Sequence, residues 1–398
     1  MKLVVYVNSW APSVGGVETI TKTLAAGLVE WSKEHDERAI EVTLITKTPA
    51  GNVNDSQLPY RVIRNPSFRQ LVYEIRIADV IHLAGPTLLP LIIAYLLRKP
   101  TVVEHHGYQV NCPNGLLLFQ PDRSVCPGHF MAGRYGKCIQ CNQQDLGWFA
   151  SVRGLLLTFL RRWLCRRVAG NISVTDHVAK RIELPRTRTI YHGVYDRGER
   201  SSDPSSGSHR ALAIGYVGRL VQEKGLPVLL RAARDLDRSG TSFHLTFVGD
   251  GPERARLQGL SGQLGLNDRV TFEGDLRGEN LLEVLEGIQV VIMPSEWEET
   301  AGLAAIEHMM SGGAVIVADI GGLSEVVGPG GLKFSTGSVI ELYACLEMVA
   351  KDRSKVKHLG SVARARALIE FSVDRFIAQH AALYREVQDN QNQASKSS

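Results

Sequence analysis

Short apolar runs and longer amphipathic runs alternate along almost the whole chain. The apolar runs of the first half are "KLVVYVN", "VTLIT", "DVIHLA", "TVVEHH", "NISVT" and "RTIYHG", and those of the second half are "LAIGYVGRL", "HLTFVGD", "RVTFEG", "QVVIMPS" and "AVIVAD". Runs rich in Val and Ile that are separated by helical patterns are typical of parallel strands buried on both faces. The pattern therefore predicts an α/β fold with two doubly wound sheets in series.

A polar segment separates the two halves. "DRGERSSDPSSGSHRA", residues 196–211, is rich in Ser, Gly and Pro and has no apolar periodicity, as is typical of a linker. We predict a first domain over residues 1–200 and a second over residues 201–372. Residues 373–398 begin as a helix with an apolar stripe and end in the polar tail "QDNQNQASKSS", which we expect to be disordered.

Length and charge narrow the classes of protein. The 398 residues suffice for two domains, and the net charge of +4 is too small to indicate a nucleic-acid partner. We see no signal peptide, and the most apolar stretch, "GPTLLPLIIAYLL", is shorter than the ~20 residues of a membrane span. We therefore expect a cytoplasmic protein, in which the six cysteines are thiols or metal ligands rather than disulfides.

Ligands of doubly wound sheets bind at the carboxyl ends of strands, so the residues after the strands matter most. Gly15 and Gly16 follow the first strand and would let the backbone approach a phosphate at a helix N-terminus. Their spacing does not match the dinucleotide fingerprint, and a tight strand-to-helix turn accounts for them equally well. Gly249, in "VGDGPER", likewise fits a structural turn or a ligand contact.

Two cations follow the first strand of the second domain. Arg219 comes directly after Gly218, and Lys224 opens the next helix. A cation at a helix N-terminus opposes the helix dipole unless an anion is bound there. A diphosphate would be such an anion. Alternatively, Arg219 and Lys224 are solvated side chains on the surface.

Two glutamates eight positions apart follow the strand "VVIMPS". Glu299 lies in the loop, where a carboxylate also stabilises the start of a helix. Glu307 is flanked by "GLAAI" and "MM", which predicts a buried helix. A buried carboxylate needs partners. Sugar hydroxyls or an arginine would supply them.

These motifs together carry a family resemblance that covers nearly the whole chain. "GGVE" (15–18), "GRLVQEKG" (218–225), "VGDGPE" (248–253) and "PSEWEETAGLAAIEHMMSGGAVIVADIGGLSEVV" (294–327) resemble the retaining glycosyltransferases of family four, with Glu299 and Glu307 as the Glu-x7-Glu signature. The resemblance implies the GT-B fold, in which two Rossmann-like domains face a central cleft and the last helix crosses back to the first domain. It also implies sugar transfer from a UDP- or GDP-sugar to a glycan or lipid-linked acceptor, with retention and without a catalytic divalent metal.

The same resemblance implies roles for individual residues. Arg219 and Lys224 would bind the donor diphosphate, Glu307 the ribose, and Glu299 would lie beside the donor sugar. His106, rather than His105, would lie near the outer hydroxyls of that sugar. The other donor contacts implied are Gly15, Gly16, Gly218, Gly249, Thr300, Ala301, Gly302 and Leu303. One departure from the family pattern is His192-Gly193, where Asn-Gly is usual.

An insertion over residues 108–147 contains four cysteines. Cys138 and Cys141 have the spacing of a ligand pair, and Cys112 and Cys126 would complete a tetrahedral zinc site. Unliganded thiols, an iron–sulfur cluster and disulfides are the alternatives. Because the insertion follows His106, we expect it near the entrance for the acceptor.

The segment 155–168 predicts a basic amphipathic helix, "LLLTFLRRWLCRRV", which suits contact with an anionic membrane surface or a solvated helix face.

Other functions fit less well. A nucleotide-sugar epimerase or a phosphorylase does not require the two spaced glutamates, and we find no cofactor-binding lysine context for a phosphorylase. A non-catalytic sugar-nucleotide-binding partner subunit would predict loss of Arg219, Lys224 or Glu299, and all three are present.

Overall fold

The computed structural model describes residues 1–12, 15–35, 39–51, 53–199, 211–276 and 278–396. The chain forms two compact units, one of Met1–Gly193 with Val373–Ser398 and one of Val194–Ser372. Val194 pairs with Ser372 in a parallel bridge, so the two ends of the second unit are tied to each other. The boundary therefore lies slightly before the predicted residue 200, and residues 200–210 of the predicted linker lie outside the described residues.

The first unit, called unit 1, is built around a parallel sheet. Its strands are β1 (Lys2–Val7), β2 (Glu41–Thr46), β3 (Arg61–Arg64), β4 (Val80–Leu83), β5 (Thr101–His105), β6 (Leu118–Phe119), β7 (Ser124–Val125), β8 (Gly170–Ser173) and β9 (Thr187–Thr189). Seven of them form one sheet in the order β3-β2-β1-β4-β5-β8-β9, and β6 and β7 form a separate antiparallel hairpin. The order reverses between β1 and β4, which is the point where such sheets bind ligands.

Helices connect the strands of unit 1. They are α1 (Gly16–His35), α2 (Phe68–Ile77), α3 (Leu88–Leu96), α4 (Tyr135–Leu146), α5 (Trp148–Cys165) and α6 (Asp176–Ile182), with a 3-10 turn at Asp55–Gln57. The Val- and Ile-rich strands are buried throughout in β4, β5 and β8, as a sheet covered on both faces requires.

The second unit, called unit 2, repeats this architecture. Its strands are β10 (Leu212–Val217), β11 (Phe243–Val248), β12 (Val270–Gly274), β13 (Val290–Met293), β14 (Ala314–Ala318) and β15 (Gly331–Phe334). Its helices are α7 (Leu226–Arg238), α8 (Arg254–Gln263), α9 (Gly278–Gly287), α10 (Leu303–Met310), α11 (Gly321–Val327), α12 (Val339–Lys351) and α13 (Arg353–Glu370), with a 3-10 turn at Gln222–Lys224. The sheet order β12-β11-β10-β13-β14-β15 reverses between β10 and β13. The predicted pair of doubly wound α/β folds is confirmed.

The last helix, α14 (Val373–Lys396), returns to unit 1. Its apolar stripe is buried, and Ile377 lies so close to Gly27 of α1 that a Cβ at Gly27 would stand 2.7 Å from the Ile377 side chain. The helix continues to Lys396, so the prediction of a disordered tail from Gln388 is wrong. A helix that is already anchored by packing extends without a new nucleation cost, and the tail contains neither Gly nor Pro.

Among the helices of the described ranges, none is both long enough and apolar enough to cross a bilayer.

Two loops of unit 2 make close backbone contact beside the β10–β13 reversal. The Glu296 N–H donates to the Glu223 carbonyl at 2.9 Å. Gly225 adopts φ +64° and faces the Pro294 carbonyl oxygen, which a Cβ would overlap. Only glycine combines this left-handed backbone with this approach.

We expect Gly225→Ala to destabilise unit 2 more than Gly240→Ala. Gly240 has a similar φ of +76° but open space where its Cβ would lie, so its substitution should cost only the left-handed strain of about 1–2 kcal/mol. Gly225→Ala adds a backbone collision and should cost about 3–5 kcal/mol. Thermal unfolding of the two variants measures the difference, and equal losses would contradict the close approach.

Candidate functional site

The predicted cations and the first glutamate lie in loops at the carboxyl edge of the unit 2 sheet. Arg219 follows β10, Lys224 ends the 3-10 turn beyond it, and Glu299 lies in the loop after β13. Because β10 and β13 are neighbours, the two loops lie side by side where the strand order reverses.

Lys224 and Glu299 form an ion pair at this edge. The Lys224 Nζ lies 2.8 Å from Glu299 Oε1, and the Lys224 and Glu299 side chains are 17% and 6% exposed. The Ser295 hydroxyl also donates to Glu299 Oε1. Lys224 precedes α7 instead of opening it, because Gly225 stands between them. The sequence predicted an anion beside Lys224, and in the structure Glu299 is that anion.

Arg219 occupies a different environment. Its side chain is exposed, and within the described part of the chain it has no ion-pair partner. Its backbone is held in place, because the Tyr216 hydroxyl donates to the Arg219 carbonyl at 2.9 Å. Gly218, at φ +147°, precedes it, and Gly249, at φ +129°, packs directly on the Gly218 carbonyl. The guanidinium is therefore available to a ligand, on a backbone that is held in place.

The burial of Glu307 differs from the prediction. It lies on the exposed face of α10, while Ala305, Ile306 and His308 on the other faces are buried. The expectation of a buried carboxylate is wrong, because apolar neighbours predict that the helix packs and do not fix which face Glu307 occupies. Desolvation by the surrounding protein raises the pKa of Glu307, and the charge of Arg197 opposes that rise.

The segment between the two glutamates turns tightly. Ala301 is buried, Thr300 is half-buried, and Gly302 adopts φ +72° directly before α10, which begins at Leu303. A Cβ on Gly302 would overlap the Leu323 side chain. The backbone N–H groups at the start of α10 therefore stand just beyond the Glu299 loop.

The predicted glycines of unit 1 lie at its own reversal point. Gly15 precedes α1, Gly16 is its first residue, and the Thr19 N–H donates to the Gly15 carbonyl at 3.0 Å. The preceding loop residues 13 and 14 lie outside the described residues.

His106 lies just beyond β5, and strand alternation separates it from His105. Glu104 and His106 point to one face of the sheet and His105 to the other. On that other face the His105 Nε2 contacts the Asn171 Oδ1 at 2.9 Å, and burial lowers the pKa of His105 to about 4. His105 is thus a structural residue of the core, and His106 is half-buried at the carboxyl edge.

A fully buried carboxylate lies beneath His106, and sequence reasoning missed it. The Glu104 Oε2 lies 3.3 Å from His82 Nε2, 3.6 Å from His106 Nε2 and 3.8 Å from His380 Nε2. Burial by itself raises the pKa of Glu104, but His106, His380 and His82 lower it well below its usual range. The available signal was a polar residue inside each of two apolar strand patterns, "DVIHLA" and "TVVEHH".

The cysteine insertion places a hairpin before a helix. Cys112 precedes the β6–β7 hairpin, Cys126 follows it, and Cys138 and Cys141 stand one turn apart on α4. All four are buried and none is in a disulfide. The Asn114 side chain contacts Cys112 Sγ at 2.8 Å and Cys141 Sγ at 3.4 Å.

Burial keeps the sulfurs of the insertion in their protonated, uncharged form. Burial raises the pKa of Cys138 to about 12, and the nearness of Cys112, Cys126 and Cys141 adds to this. Burial likewise raises the pKa of Cys112 to about 11, while three backbone N–H groups directed at its sulfur oppose the rise. Across the described residues, no three of these sulfurs lie within 4.8 Å of one another.

Solved structures show which fold this is. HepE of Anabaena, in complex with UDP and glucose, matches with a TM-score of 0.71 and 19% identity over 96% of this chain and 98% of that chain. The sucrose-phosphate synthase of Thermosynechococcus elongatus matches with a TM-score of 0.72 and 20% identity over 97% and 98%. The fold of this chain is GT-B.

Sequence comparisons decide the family. The family model described as "Glycosyl transferases group 1" matches residues 201–366. The 2-deoxystreptamine glucosyltransferase of Streptomyces kanamyceticus is 32% identical over 272 residues, which are 62% of this chain and 68% of that protein. The alpha-D-kanosaminyltransferase of the same organism is 25% identical over 267 residues, with the same shares of each chain. The chain therefore belongs to the group 1 glycosyl transferases.

Proposed function

We propose that this glycosyltransferase takes a sugar from a UDP- or GDP-sugar bound to unit 2 and passes it to a glycan or lipid-linked acceptor with retention of configuration. The observation that carries the proposal is the Lys224–Glu299 ion pair at the β10–β13 reversal, in the loop that also carries Arg219. Two cations held by glycine-rich turns at such an edge suit a diphosphate.

The two cations act on the leaving group. As the bond between the sugar C1 and the diphosphate oxygen breaks, negative charge grows on the diphosphate, and Arg219 and Lys224 stabilise it. The acceptor oxygen forms the new bond to C1, and its proton passes to the departing phosphate oxygen. Fixed cations supply the charge stabilisation for which other transferases use a divalent metal. Glu299, which is already paired with Lys224, balances the positive charge of that lysine and lies beside the donor sugar.

The remaining contacts follow the family resemblance. Glu307 accepts hydrogen bonds from the ribose hydroxyls, and its exposed position on α10 suits a ligand contact. His106 contacts the outer hydroxyls of the sugar. The other proposed donor contacts are backbone groups: Gly15, Gly16, Gly218, Gly249, Thr300, Ala301, Gly302 and Leu303.

A second acceptor class is favoured by the names of the relatives. Two of them are a 2-deoxystreptamine glucosyltransferase and a D-inositol 3-phosphate glycosyltransferase, the latter 35% identical over 164 residues. Both named acceptors are small polyhydroxylated rings. An acceptor screen therefore includes such a cyclitol beside glycans and lipid-linked sugars.

We expect UDP or GDP to raise the melting temperature of the protein and Glu307→Ala to weaken binding of that nucleotide about 10–100-fold. The loss corresponds to hydrogen bonds to a charged group, worth about 1.5–3 kcal/mol. Thermal shift with UDP, GDP and ADP identifies the base, calorimetry gives the affinities, and hydrolysis of the matching nucleotide sugars identifies the donor.

The matched control is Glu283→Ala, which removes an exposed glutamate from α9 of the same unit. Its nucleotide affinity should equal that of the wild type. Absence of stabilisation by all three nucleotides would overturn the donor proposal, and unchanged affinity of Glu307→Ala would overturn the ribose contact alone.

We propose further that Cys112, Cys126, Cys138 and Cys141 bind a structural zinc ion. The insertion has strands of two residues each, and its Phe130 and Cys138 form a small apolar cluster with Leu155 of α5. Small segments of this kind are typically held by a metal or by disulfides. Closing four thiols around zinc would deprotonate them and draw the sulfurs to about 2.3 Å from the ion.

We expect the purified protein to contain zinc in this insertion and Cys138→Ser/Cys141→Ser to lose it with a lower melting temperature. Cys345→Ser, in unit 2, should retain it. Substitution with Co²⁺ identifies the ligands, because thiolates give an intense sulfur-to-metal charge-transfer absorption. If that absorption is missing from the wild type, the zinc proposal is wrong.

We also propose that the protein works in the cytoplasm, where the segment 155–168 contacts anionic membrane. Its helix exposes an apolar stripe at helical spacing, comprising Leu156 (62% exposed), Phe159 (40%), Leu160 (36%) and Trp163 (41%). Arg167 stacks 3.8 Å above the Trp163 ring. Beside it lies a groove of about 620 Å³ whose lining includes Arg98, Lys99, Arg167, Arg186 and Arg188. Exposed aromatics next to cations are typical of a surface that enters the lipid headgroup layer.

We expect Phe159→Glu/Leu160→Glu to abolish sedimentation of the protein with vesicles of phosphatidylcholine and phosphatidylglycerol. Ile340→Glu serves as the control, because Ile340 is 80% exposed on unit 2 but belongs to no such stripe. The wild type should sediment less at high salt, since its cations are screened. A wild type that stays in the supernatant would rule out the membrane contact.

A further inference from the structure

Three side chains near the carboxyl edge of the unit 1 sheet converge in a way that the donor site does not explain. Among the described residues, Glu104, His106 and His192 are the group of three or more His, Cys, Asp or Glu side chains whose ligand atoms all lie within 4.8 Å of one another. The His106 Nδ1 and the His192 Nε2 are 3.3 Å apart. Two nitrogens bound to one tetrahedral ion at about 2.0–2.1 Å would stand roughly that far apart.

Two buried atoms of this group lack hydrogen-bond partners. They are Glu104 Oε1, in a residue that is 1% exposed, and His192 Nδ1, in a residue that is 6% exposed. An unsatisfied buried polar atom typically costs about 1–3 kcal/mol, so each such atom in a native core calls for an explanation. A bound cation would satisfy the carboxylate oxygen, whereas His192 would bind the ion through Nε2 and its Nδ1 would keep the ring proton.

The other oxygen, Glu104 Oε2, lies 3.6 Å from His106 Nε2 and is approached by two further imidazoles. His82 approaches Glu104 Oε2 from β4 and is itself held by the Tyr384 hydroxyl, 2.8 Å from His82 Nδ1. His380 approaches from α14, and its Nδ1 donates to the Phe376 carbonyl at 2.9 Å. A carbonyl can only accept, so the Nδ1 of His380 carries its proton. His82, at 3.3 Å, is the nearer of these two imidazoles, and a neighbouring group of this kind orients a carboxylate that serves as a metal ligand.

His192 is a feature of this chain and not of the family pattern. The resemblance places asparagine at this position, directly before Gly193. His192 is buried, lies just after β9 and adds a second imidazole beside Glu104 and His106. A departure that completes a set of nitrogen and oxygen ligands suggests a local function.

We propose that Glu104, His106 and His192 bind a divalent transition-metal ion, with Zn²⁺ the ion that fits best. Two imidazoles and a carboxylate suit zinc, whereas magnesium and calcium prefer oxygen ligands alone. Three protein ligands leave one position for water. The ion would balance the buried carboxylate and link the end of β5 to the segment after β9. A metal bound to His106 would take the place of the sugar contact proposed for that residue, and the test below measures metal content, which does not depend on the donor.

The test is metal content and cobalt spectroscopy on the full chain. The protein is stripped with a chelator, reloaded with Zn²⁺ or Co²⁺ and desalted, and bound metal is measured by mass spectrometry. We expect His192→Asn to bind one equivalent less than the wild type, or to bind it at least ~10-fold more weakly. The Co²⁺ d–d absorption should fall in this variant, while the sulfur-to-metal charge-transfer absorption of the cysteine insertion should not change.

His358→Asn is the matched control, because His358 is an exposed histidine on α13 of unit 2. It should bind as much metal as the wild type. Glu104→Gln removes the charge at the same site and should lose the same equivalent, so a folding defect in one variant does not decide the result. Equal metal content and equal d–d absorption in wild type and His192→Asn would overturn the proposal and would leave a buried ion-pair network in its place.

Discussion

The contact between the Lys224 ammonium and the Glu299 carboxylate joins the two loops on which the unit 2 site depends. One loop follows β10 and the other follows β13, and the ion pair spans them at 2.8 Å where the strand order reverses. Removing one partner of a buried pair leaves an uncompensated charge, typically at a cost of about 3–5 kcal/mol. Gly225 makes the pairing feasible, because any larger residue would push the β10 loop away from the Pro294 carbonyl.

This ion pair also compensates the charge of Lys224 within unit 2, so the proposed anion site is stable before a ligand binds. Lys224 stands just before a helix, where a lone cation is unfavourable, and Glu299 compensates it. A diphosphate arriving at this edge adds negative charge beside a lysine whose position is already set. Under the proposed function, the site would need little rearrangement when its ligand binds, which is the condition for electrostatic stabilisation of a leaving group.

Unit 1 also contains a buried carboxylate that needs compensating partners. This carboxylate, Glu104, is surrounded by imidazoles instead of an ammonium group. The charge of an imidazole is not fixed near neutral pH, whereas that of a lysine is. Imidazoles can instead share a cation between them, and this difference is what makes the unit 1 cluster suited to a metal ion and the unit 2 pair suited to a phosphate.

The alternation of apolar runs along the sequence determined the two doubly wound sheets, because the strand and helix periods are local properties of the backbone. It also determined that Arg219, Lys224 and Glu299 follow strands and so share one edge. Only the tertiary structure decided that Glu307 faces solvent, since its apolar neighbours are compatible with either face of α10. The prediction for the polar tail was wrong for a related reason, because composition does not reveal that α14 is already anchored on α1.

The sequence alone could not predict that His82, Glu104, His192 and His380 lie together. They come from separate elements and come into contact only once strand order and side-chain direction are set. Contacts between distant residues depend on which strands become neighbours, and that is settled by packing of the whole unit.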